Sequence, residues 1–235
     1  MAVLISMQKV FLNGDFIDKD SAKISIFDRG FIFGDGIYEV VPVINGVMVE
    51  KQGFWDRFKR SLNEIDLSLP YSKDEFENIL NELIKINSLN EGGIYIQITR
   101  GIAQRDFSFV SGITPTVMAF AFSDSVLEHP GAKSGITIIS TPDIRWKRRD
   151  IKSISLLGQC YAKNQATIAG ADECFMVEDG YVTEAGSSSA FIIKDGALIT
   201  KPLSNEILPG IRRQRLLNLA KEIGLKIQED RKSVV

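Results

Sequence analysis

The chain has 235 residues, of which 44% are hydrophobic, and its 28 basic and 30 acidic side chains give a formal net charge of −2. A chain of this length can bury one large core or two modest ones, and two small domains are expected. The near balance of charge excludes the basic excess typical of nucleic-acid-binding proteins, so nucleic acid is not expected as the main partner.

The scarcity of cysteine and histidine excludes several kinds of site. Cys160 and Cys174 lack the paired spacing of a disulfide framework or a zinc site. The single histidine, His129, lies in a predicted connecting segment, so neither a Ser-His-Asp triad nor a multi-histidine metal site is expected. The chain begins without the pattern of a signal peptide and has no apolar run long enough to span a bilayer. A cytoplasmic protein without a membrane segment is expected.

Turn dipeptides predict four β-hairpins. Asn13-Gly14 and Asn45-Gly46 lie between short apolar runs in the first part of the chain, and Asp179-Gly180 and Asp195-Gly196 do so in the second. These pairs favour tight hairpin turns because glycine accepts a positive φ at no steric cost. Much of the chain is therefore predicted to be antiparallel sheet.

Helices and further strands follow from the spacing of the apolar residues. In chain order, the pattern predicts a helix over 52–65, a helix that begins after a capping box of Ser72 and Glu75, strands over 94–99, 116–122 and 136–140, a helix over 156–168, a helix over 211–223 and a strand over 225–228. A polar segment over 123–131 is the predicted linker between an N-terminal domain, 1–122, and a C-terminal domain, 132–235. We therefore expect an α+β protein of two domains, each a mainly antiparallel sheet with helices.

Three clusters of polar residues and glycines lie where predicted strands give way to turns or helices, at 28–39, 150–153 and 183–189. The run 186–189, Gly-Ser-Ser-Ser, and the start of the last helix both offer backbone amides to an anion. With Lys152, they suggest a phosphorylated carbonyl cofactor held by an amine. Considered alone, however, Ser-Gly runs are more often ordinary loops, and an isolated lysine is more often a solvated surface charge.

The segment Phe27–Val40, FDRGFIFGDGIYEV, resembles the N-terminal signature of fold-type IV enzymes that depend on pyridoxal 5'-phosphate (PLP), in particular the D-amino-acid aminotransferases. Further blocks follow in the order and at the spacing of that family: Trp55-Asp56-Arg57-Phe58, Ile96-Gln97-Ile98-Thr99-Arg100-Gly101, Asp143-Ile144-Arg145-Trp146, Asp150-Ile151-Lys152-Ser153, Val182-Thr183-Glu184 and Leu208-Pro209-Gly210-Ile211. The resemblance implies a PLP-dependent aminotransferase that acts as a homodimer. Its substrates would be an amino acid, with D-amino acids favoured and branched-chain L-amino acids as the other option, and a 2-oxo acid.

The resemblance also implies roles for individual residues at the cofactor. Lys152 matches the lysine that forms the Schiff base with PLP and then transfers protons as general acid and base. Glu184 matches the carboxylate that faces the pyridine nitrogen, and Arg57 matches the arginine that binds the phosphate. The other implied cofactor contacts are the hydroxyls of Ser187 and Ser188 and the backbone amides of Ile211 and Arg212.

Two residues are implied to contact the substrate. Tyr38 resembles the pocket tyrosine of the family, and Arg105 aligns with the arginine that holds the substrate carboxylate in D-amino-acid aminotransferases. The histidine that usually accompanies this arginine is replaced here by Phe107.

Two alternatives remain open at this point. A 4-amino-4-deoxychorismate lyase uses the same scaffold and the same lysine. The chain is also compatible with a truncated, inactive homologue that binds PLP, because members of the family continue for a few tens of residues beyond the position of Val235 and carry a phosphate-contacting turn there.

Overall fold

The computed structural model describes residues 9–128 and 131–230. The chain divides into two units, Met1–His129 with Lys152–Ile154, and Pro130–Ile151 with Ser155–Val235. The single histidine, His129, lies outside the described residues. None of the helices in the described part of the chain is long and apolar enough to cross a membrane.

The first unit is built on a six-stranded antiparallel sheet. Its strands are β1 (Lys9–Leu12), β2 (Asp15–Asp18), β3 (Gly36–Ile44), β4 (Val47–Met48), β5 (Glu91–Thr99) and β6 (Thr116–Ser123). They lie in the order β2-β1-β6-β5-β3-β4. The predicted hairpins at Asn13-Gly14 and Asn45-Gly46 are confirmed, and all four turn residues have positive φ, as tight hairpin turns require.

Among the described residues, three α-helices accompany this sheet: α1 (Arg29–Phe33), α2 (Lys51–Asn63) and α3 (Lys73–Ile86). The predicted capping box of Ser72 and Glu75 begins α3. Helix α2 packs against β3, and α3 packs against β1 and β6. The stacked rings of Phe58 and Phe76, 6.2 Å apart, join the two helices in the core.

The described part of the second unit contains two three-stranded sheets and three helices. Its elements are α4 (Gly131–Ser134), β7 (Ile138–Pro142), α5 (Leu157–Ile168), β8 (Glu173–Glu178), β9 (Tyr181–Ala185), β10 (Phe191–Lys194), β11 (Ala197–Thr200), α6 (Ile211–Glu222) and β12 (Lys226–Glu229). The sheets have the orders β7-β8-β9 and β10-β11-β12. Helix α5 buries Ala162 and Ala166 against Cys174 and Met176 of the first sheet.

The predicted hairpins β8–β9 and β10–β11 are confirmed, and each sheet also contains a parallel pair, β7–β8 and β11–β12. A helix joins the strands of each parallel pair, α5 in one and α6 in the other. Turn dipeptides reveal hairpins but not such crossovers, which explains why the parallel pairs were not predicted. The short helix α1 was not predicted either, since a single turn has too few residues to show a helical period.

The buried face of α3 generates a prediction about stability. Leu80 is fully buried in this helix, at 0% exposure, whereas Leu127 is 64% exposed. Leu80→Ala is expected to lower the free energy of unfolding by about 2–5 kcal/mol, because it leaves a cavity in the core. Leu127→Ala is expected to lower it by less than about 1 kcal/mol. Urea denaturation measures both, and equal losses would contradict the core position of Leu80.

Candidate active site

The residues implied by the sequence fall into two groups, one in each unit. Lys152 belongs to the first unit, as do Tyr38, Arg57 and Arg105. Glu184 belongs to the second unit, as do the segments 187–188 and 211–212. The two groups offer different chemistry: an amine, an aromatic ring and guanidinium groups in the first, and a carboxylate, hydroxyls and helix amides in the second.

Backbone hydrogen bonds hold Lys152 against β3. The N–H of Tyr38 donates to the carbonyl of Lys152 at 2.9 Å, and the N–H of Ile154 donates to the carbonyl of Gly36 at 3.1 Å. The N–H of Lys152 in turn donates to Oγ of Ser61 at 3.3 Å. Because the backbone is bonded at the lysine and two residues beyond it, the side chain of Lys152 projects from a fixed point.

Gly36 permits this close approach. A Cβ atom at this position would lie 2.4 Å from the carbonyl oxygen of Ile98 and 3.1 Å from Cδ1 of Ile154. The first distance is shorter than any real contact of a Cβ atom. A larger residue would therefore displace β3 from β5 or from residues 152–154, the lysine segment.

The amine of Lys152 lies over an aromatic ring. Its Nζ is 4.1 Å from the centroid of the Tyr38 ring, a cation–π geometry. The Tyr38 ring stacks on Tyr95, which stacks on Phe120, with centroids 5.5 and 4.9 Å apart. Burial, together with the nearby Tyr38 hydroxyl, raises the pKa of Tyr95 to about 12. Tyr95 therefore stays neutral and supports the ring beneath the lysine.

Arg57 is oriented by a buried carboxylate. Its Nε and Nη2 donate to the two carboxylate oxygens of Glu39, at 2.7 and 2.6 Å. Glu39 is fully buried on β3, whereas Arg57 lies on α2. Sequence reasoning missed this pairing, because nothing in the spacing of the two residues shows that α2 packs on β3. The pair occupies one edge of the guanidinium fork and fixes its plane.

Arg105 lies on the exposed loop between β5 and β6. Its guanidinium carbon is 5.8 Å from the ring centroid of Phe33 and 5.2 Å from that of Phe107. Phe107, which stands where the family has histidine, thus contacts Arg105 through its ring rather than through a hydrogen bond.

In the second unit, Glu184 is a buried carboxylate on β9, with 6% exposure. Its Oε2 accepts a hydrogen bond from Nη1 of Arg145 at 2.7 Å, and its Oε1 accepts one from the N–H of Leu208 at 3.1 Å. Burial raises the pKa of Glu184, although Arg145 and the Leu208 amide favour its ionised form. The protonation of this carboxyl therefore depends on the arginine.

Arg145 is held in turn by Asp143, just beyond the end of β7. Nε and Nη2 of Arg145 donate to the two oxygens of Asp143 at 3.0 and 2.8 Å, and Oγ1 of Thr183 also donates to Asp143, at 2.5 Å. Burial opposes ionisation of Asp143, but these hydrogen bonds outweigh it and lower its pKa. Sequence reasoning noted the block that contains Asp143 and Arg145 but gave neither residue a role.

The two predicted serines lie on an exposed turn after β9. Oγ of Ser187 donates to Oε2 of Glu173 at 3.4 Å, and the carbonyl of Ser188 accepts from the N–H of Ala185 at 2.8 Å. The second bond closes the turn and leaves both serine side chains at the surface.

This turn approaches the start of α6. A Cβ atom on Gly210 would lie 2.9 Å from Oγ of Ser189, so a larger residue there would have to displace that hydroxyl. Gly210 is also the N-cap of α6 and has no side chain to accept from the first helical amides, which belong to Ile211 and Arg212. The Ser189 hydroxyl thus lies near the first amides of α6, which are donors suited to an anion.

These groups fit the chemistry of PLP. The aldehyde of PLP requires an amine, which Lys152 offers, and its ring nitrogen requires a carboxylate, which Glu184 offers. The close approach of Ser189 and Gly210 at the start of α6 provides donors suited to a phosphate.

Comparison with known proteins places the chain among aminotransferases. The family described as amino-transferase class IV matches residues 36–234. A D-alanine aminotransferase of Staphylococcus haemolyticus is 42% identical over 95% of this chain and 79% of its own length. A D-alanine aminotransferase of Bacillus licheniformis is 38% identical over 94% of this chain and 78% of its own length.

Solved structures share the fold. A branched-chain amino acid aminotransferase of Escherichia coli superimposes with a TM-score of 0.86 at 22% identity, over 95% of this chain and 77% of that structure. A putative 4-amino-4-deoxychorismate lyase of Legionella pneumophila superimposes with a TM-score of 0.80 at 26% identity, over 90% of this chain and 78% of that structure. The expected fold-type IV architecture is confirmed.

The buried charges around Glu184 predict that the loss of Arg145 destabilises the protein by an amount that depends on pH. Arg145→Met leaves the carboxylates of Asp143 and Glu184 without this cation, at an expected cost of about 3–5 kcal/mol at pH 8. In the variant, both carboxyls should have higher pKa values than in the native protein. The cost should then fall by about 1 kcal/mol or more at pH 5, where protonation relieves the buried charge.

Urea denaturation of the native protein and the variant at both pH values measures this difference. Lys147→Met is the control, since that lysine is 80% exposed and pairs with Glu178 at the surface. It should cost about 1 kcal/mol or less. A cost of Arg145→Met that is the same at pH 5 and pH 8 would show that the arginine does not govern the two carboxyls.

Proposed function

We propose that this chain, which belongs to the class IV aminotransferase family and is a transaminase, uses Lys152 to move an amino group from a D-amino acid to a 2-oxo acid. The observation that carries the proposal is the position of the Lys152 amine, held over the Tyr38 ring by backbone bonds to β3. The relatives that are D-alanine aminotransferases support the choice of a D-amino acid as donor.

PLP is the proposed cofactor, as the class IV family implies. When bound, it supplies an aldehyde that captures amines and a ring that withdraws electrons from the substrate α-carbon. Lys152 would hold the cofactor through Nζ between turnovers. Once the substrate amine has taken that place, the same Nζ would remove the proton from the substrate α-carbon as a general base and deliver it, as a general acid, to the cofactor carbon that had carried the aldehyde.

Glu184 is the proposed partner of the ring nitrogen. Its buried carboxylate, supported by Arg145 and the Leu208 amide, would keep a proton on that nitrogen and so maintain the electron demand of the ring. The proposed phosphate contacts are Arg57, Ser187, Ser188 and the backbone amides of Ile211 and Arg212. Tyr38 would line the substrate pocket, and Arg105 would bind the substrate carboxylate.

A spectrum tests this proposal. The protein incubated with PLP should show a visible absorbance band that D-alanine shifts to the pyridoxamine form, with pyruvate as the product. Lys152→Ala should abolish the band and lower turnover by at least about a thousandfold, because it removes both the cofactor link and the base. Lys85→Ala, at a lysine on α3 whose side chain is 80% exposed, is the control and should retain the band and the activity.

Other results would contradict the proposal in different ways. A band that survives Lys152→Ala would refute the role of that lysine. A shift with L-amino acids alone would refute the preference for D-amino acids. Release of pyruvate from 4-amino-4-deoxychorismate, without transamination, would favour the lyase that shares this fold.

We also propose that the protein acts as a homodimer in the cytoplasm. The first unit exposes a patch of large apolar side chains on two adjoining segments: Ile26, Phe27, Phe31, Phe107 and Phe109. The segments adjoin because the N–H of Ala103 donates to the carbonyl of Phe27 at 3.3 Å. Apolar patches of this kind are typical of protein interfaces.

Sedimentation tests the dimer. The native protein should sediment at twice the mass of one chain, and Phe31→Glu should raise the dissociation constant of the dimer by about tenfold or more, because it buries a charge in the interface. Val47→Glu, at an exposed position outside the patch, is the control. A native protein that sediments as one chain would contradict the proposal.

A further inference from the structure

Arg105 can bind a substrate carboxylate reproducibly only if the loop that carries it is held in place. This loop leaves β5 at Thr99 and enters β6 at Thr116. Arg105 itself is exposed, and its guanidinium contacts the rings of Phe33 and Phe107. Those two rings contact each other, with centroids 5.5 Å apart.

A buried arginine on α1 reaches the loop beside Arg105. Arg29 has an exposure of only 2%, and its Nη1 donates to the carbonyl of Asp106 at 2.6 Å. The N–H of Arg29 also donates to the carbonyl of Gly101, at 2.9 Å. Its guanidinium carbon lies 4.9 Å from the ring centroid of Phe33. Arg29 thus bonds the loop on both sides of Arg105.

A single carboxylate oxygen holds Arg29 and a second arginine. Oδ2 of Asp35 accepts from Nε of Arg29 at 2.7 Å and from Nε of Arg100 at 2.9 Å. Arg100 also donates to the carbonyls of Ile65 and Asp66, at 2.6 and 3.1 Å. Asp35 therefore links the guanidinium of Arg29 to the backbone that follows α2.

The second arginine contacts the far side of the loop. The guanidinium carbon of Arg100 lies 3.7 Å from the ring centroid of Phe109, four residues beyond Arg105. Between these contacts, the carboxylate of Asp106 accepts from the N–H of Ser108 at 2.7 Å and closes a local turn. The loop is thus bonded before Arg105, immediately after it, and again at Phe109.

We propose that Arg29, held by Asp35, is a positioning residue that fixes the loop bearing Arg105 and so sets the affinity for the substrate carboxylate. This inference rests on the proposed role of Arg105 in substrate binding. Arg29 acts through the loop, because its bonds are to the backbone of the loop and to Asp35. The position requires arginine, because one planar guanidinium must donate to Asp35 and to the Asp106 carbonyl in different directions.

Arg29→Lys tests the role of this fork, since lysine keeps the charge but not the two directed donors. With D-alanine as donor, KM should rise about tenfold or more, as expected for the loss of a hydrogen bond to a charged group, while kcat changes by less than about threefold. The PLP band should be unchanged. Hydrogen exchange of the amides of residues 102–110 should be faster in the variant, with or without PLP.

A double-mutant cycle separates a positioning role from a general loss of stability. If Arg29 acts through Arg105, Arg29→Lys should raise KM by less than about twofold in a protein that already carries Arg105→Lys. Arg60→Lys, at a surface arginine on α2 that pairs with Glu64, is the control and should leave both KM and loop exchange unchanged. An unaltered KM with unaltered exchange, or a full tenfold effect in the Arg105→Lys background, would overturn the inference.

A second variant covers the case in which Arg29→Lys does not fold. Phe33→Leu removes the ring that contacts both Arg29 and Arg105 while leaving Asp35 its two arginines. It should also raise KM and speed exchange over residues 102–110, and no change in either would count against the inference. If the native protein does not transaminate D-alanine, the proposed function fails, and loop exchange alone then decides whether Arg29 fixes the loop.

Discussion

The hydrogen bonds between the lysine segment and β3 are the constraint on which the rest of this account depends. Lys152 lies far along the chain from β3, yet its carbonyl accepts from Tyr38 and the carbonyl of Gly36 accepts from Ile154. Without those bonds, Lys152 would lie on an unrestrained loop, and its amine would change position whenever the loop changed conformation. Glycine at position 36 makes the approach sterically possible. The sheet of the first unit thus fixes the backbone from which the Lys152 amine reaches the Tyr38 ring.

Each unit holds its polar groups by buried charge pairs. Glu39 orients Arg57 and Asp35 orients Arg29 in the first unit, and Asp143 orients Arg145 in the second. Such pairs add little net stability, because desolvation offsets most of their attraction, but they impose direction on a guanidinium fork. In a transaminase, direction matters more than stability, since phosphate and carboxylate groups must be bound in one geometry. This requirement would account for the arginine–carboxylate pairs that lie among the residues implied by the family resemblance.

Local patterns in the sequence predicted most of the secondary structure but little of the site. The Asn-Gly and Asp-Gly turns and the Ser72–Glu75 capping box are local signals, and the structure bears them out. The parallel pairs depend on contacts across a helical crossover, which no local pattern reveals. Lys152 was distinguished from other lysines only by its family motif. The carboxylate of Glu39, which orients Arg57, was missed because it lies on another element, and spacing along the chain does not reveal such a contact. Asp143, only two residues from Arg145, lay within a noted motif but was given no role.

The central claim is that Lys152 is the lysine that holds PLP. The most direct test is to incubate the native protein with PLP, reduce it with borohydride, and locate the pyridoxyl group in the digested protein by mass spectrometry. We predict a single modified peptide that contains Lys152, and no such peptide when D-alanine has first converted the cofactor to its pyridoxamine form. Modification of Lys201, which is a buried lysine, or a spread of the label over surface lysines, would contradict the claim.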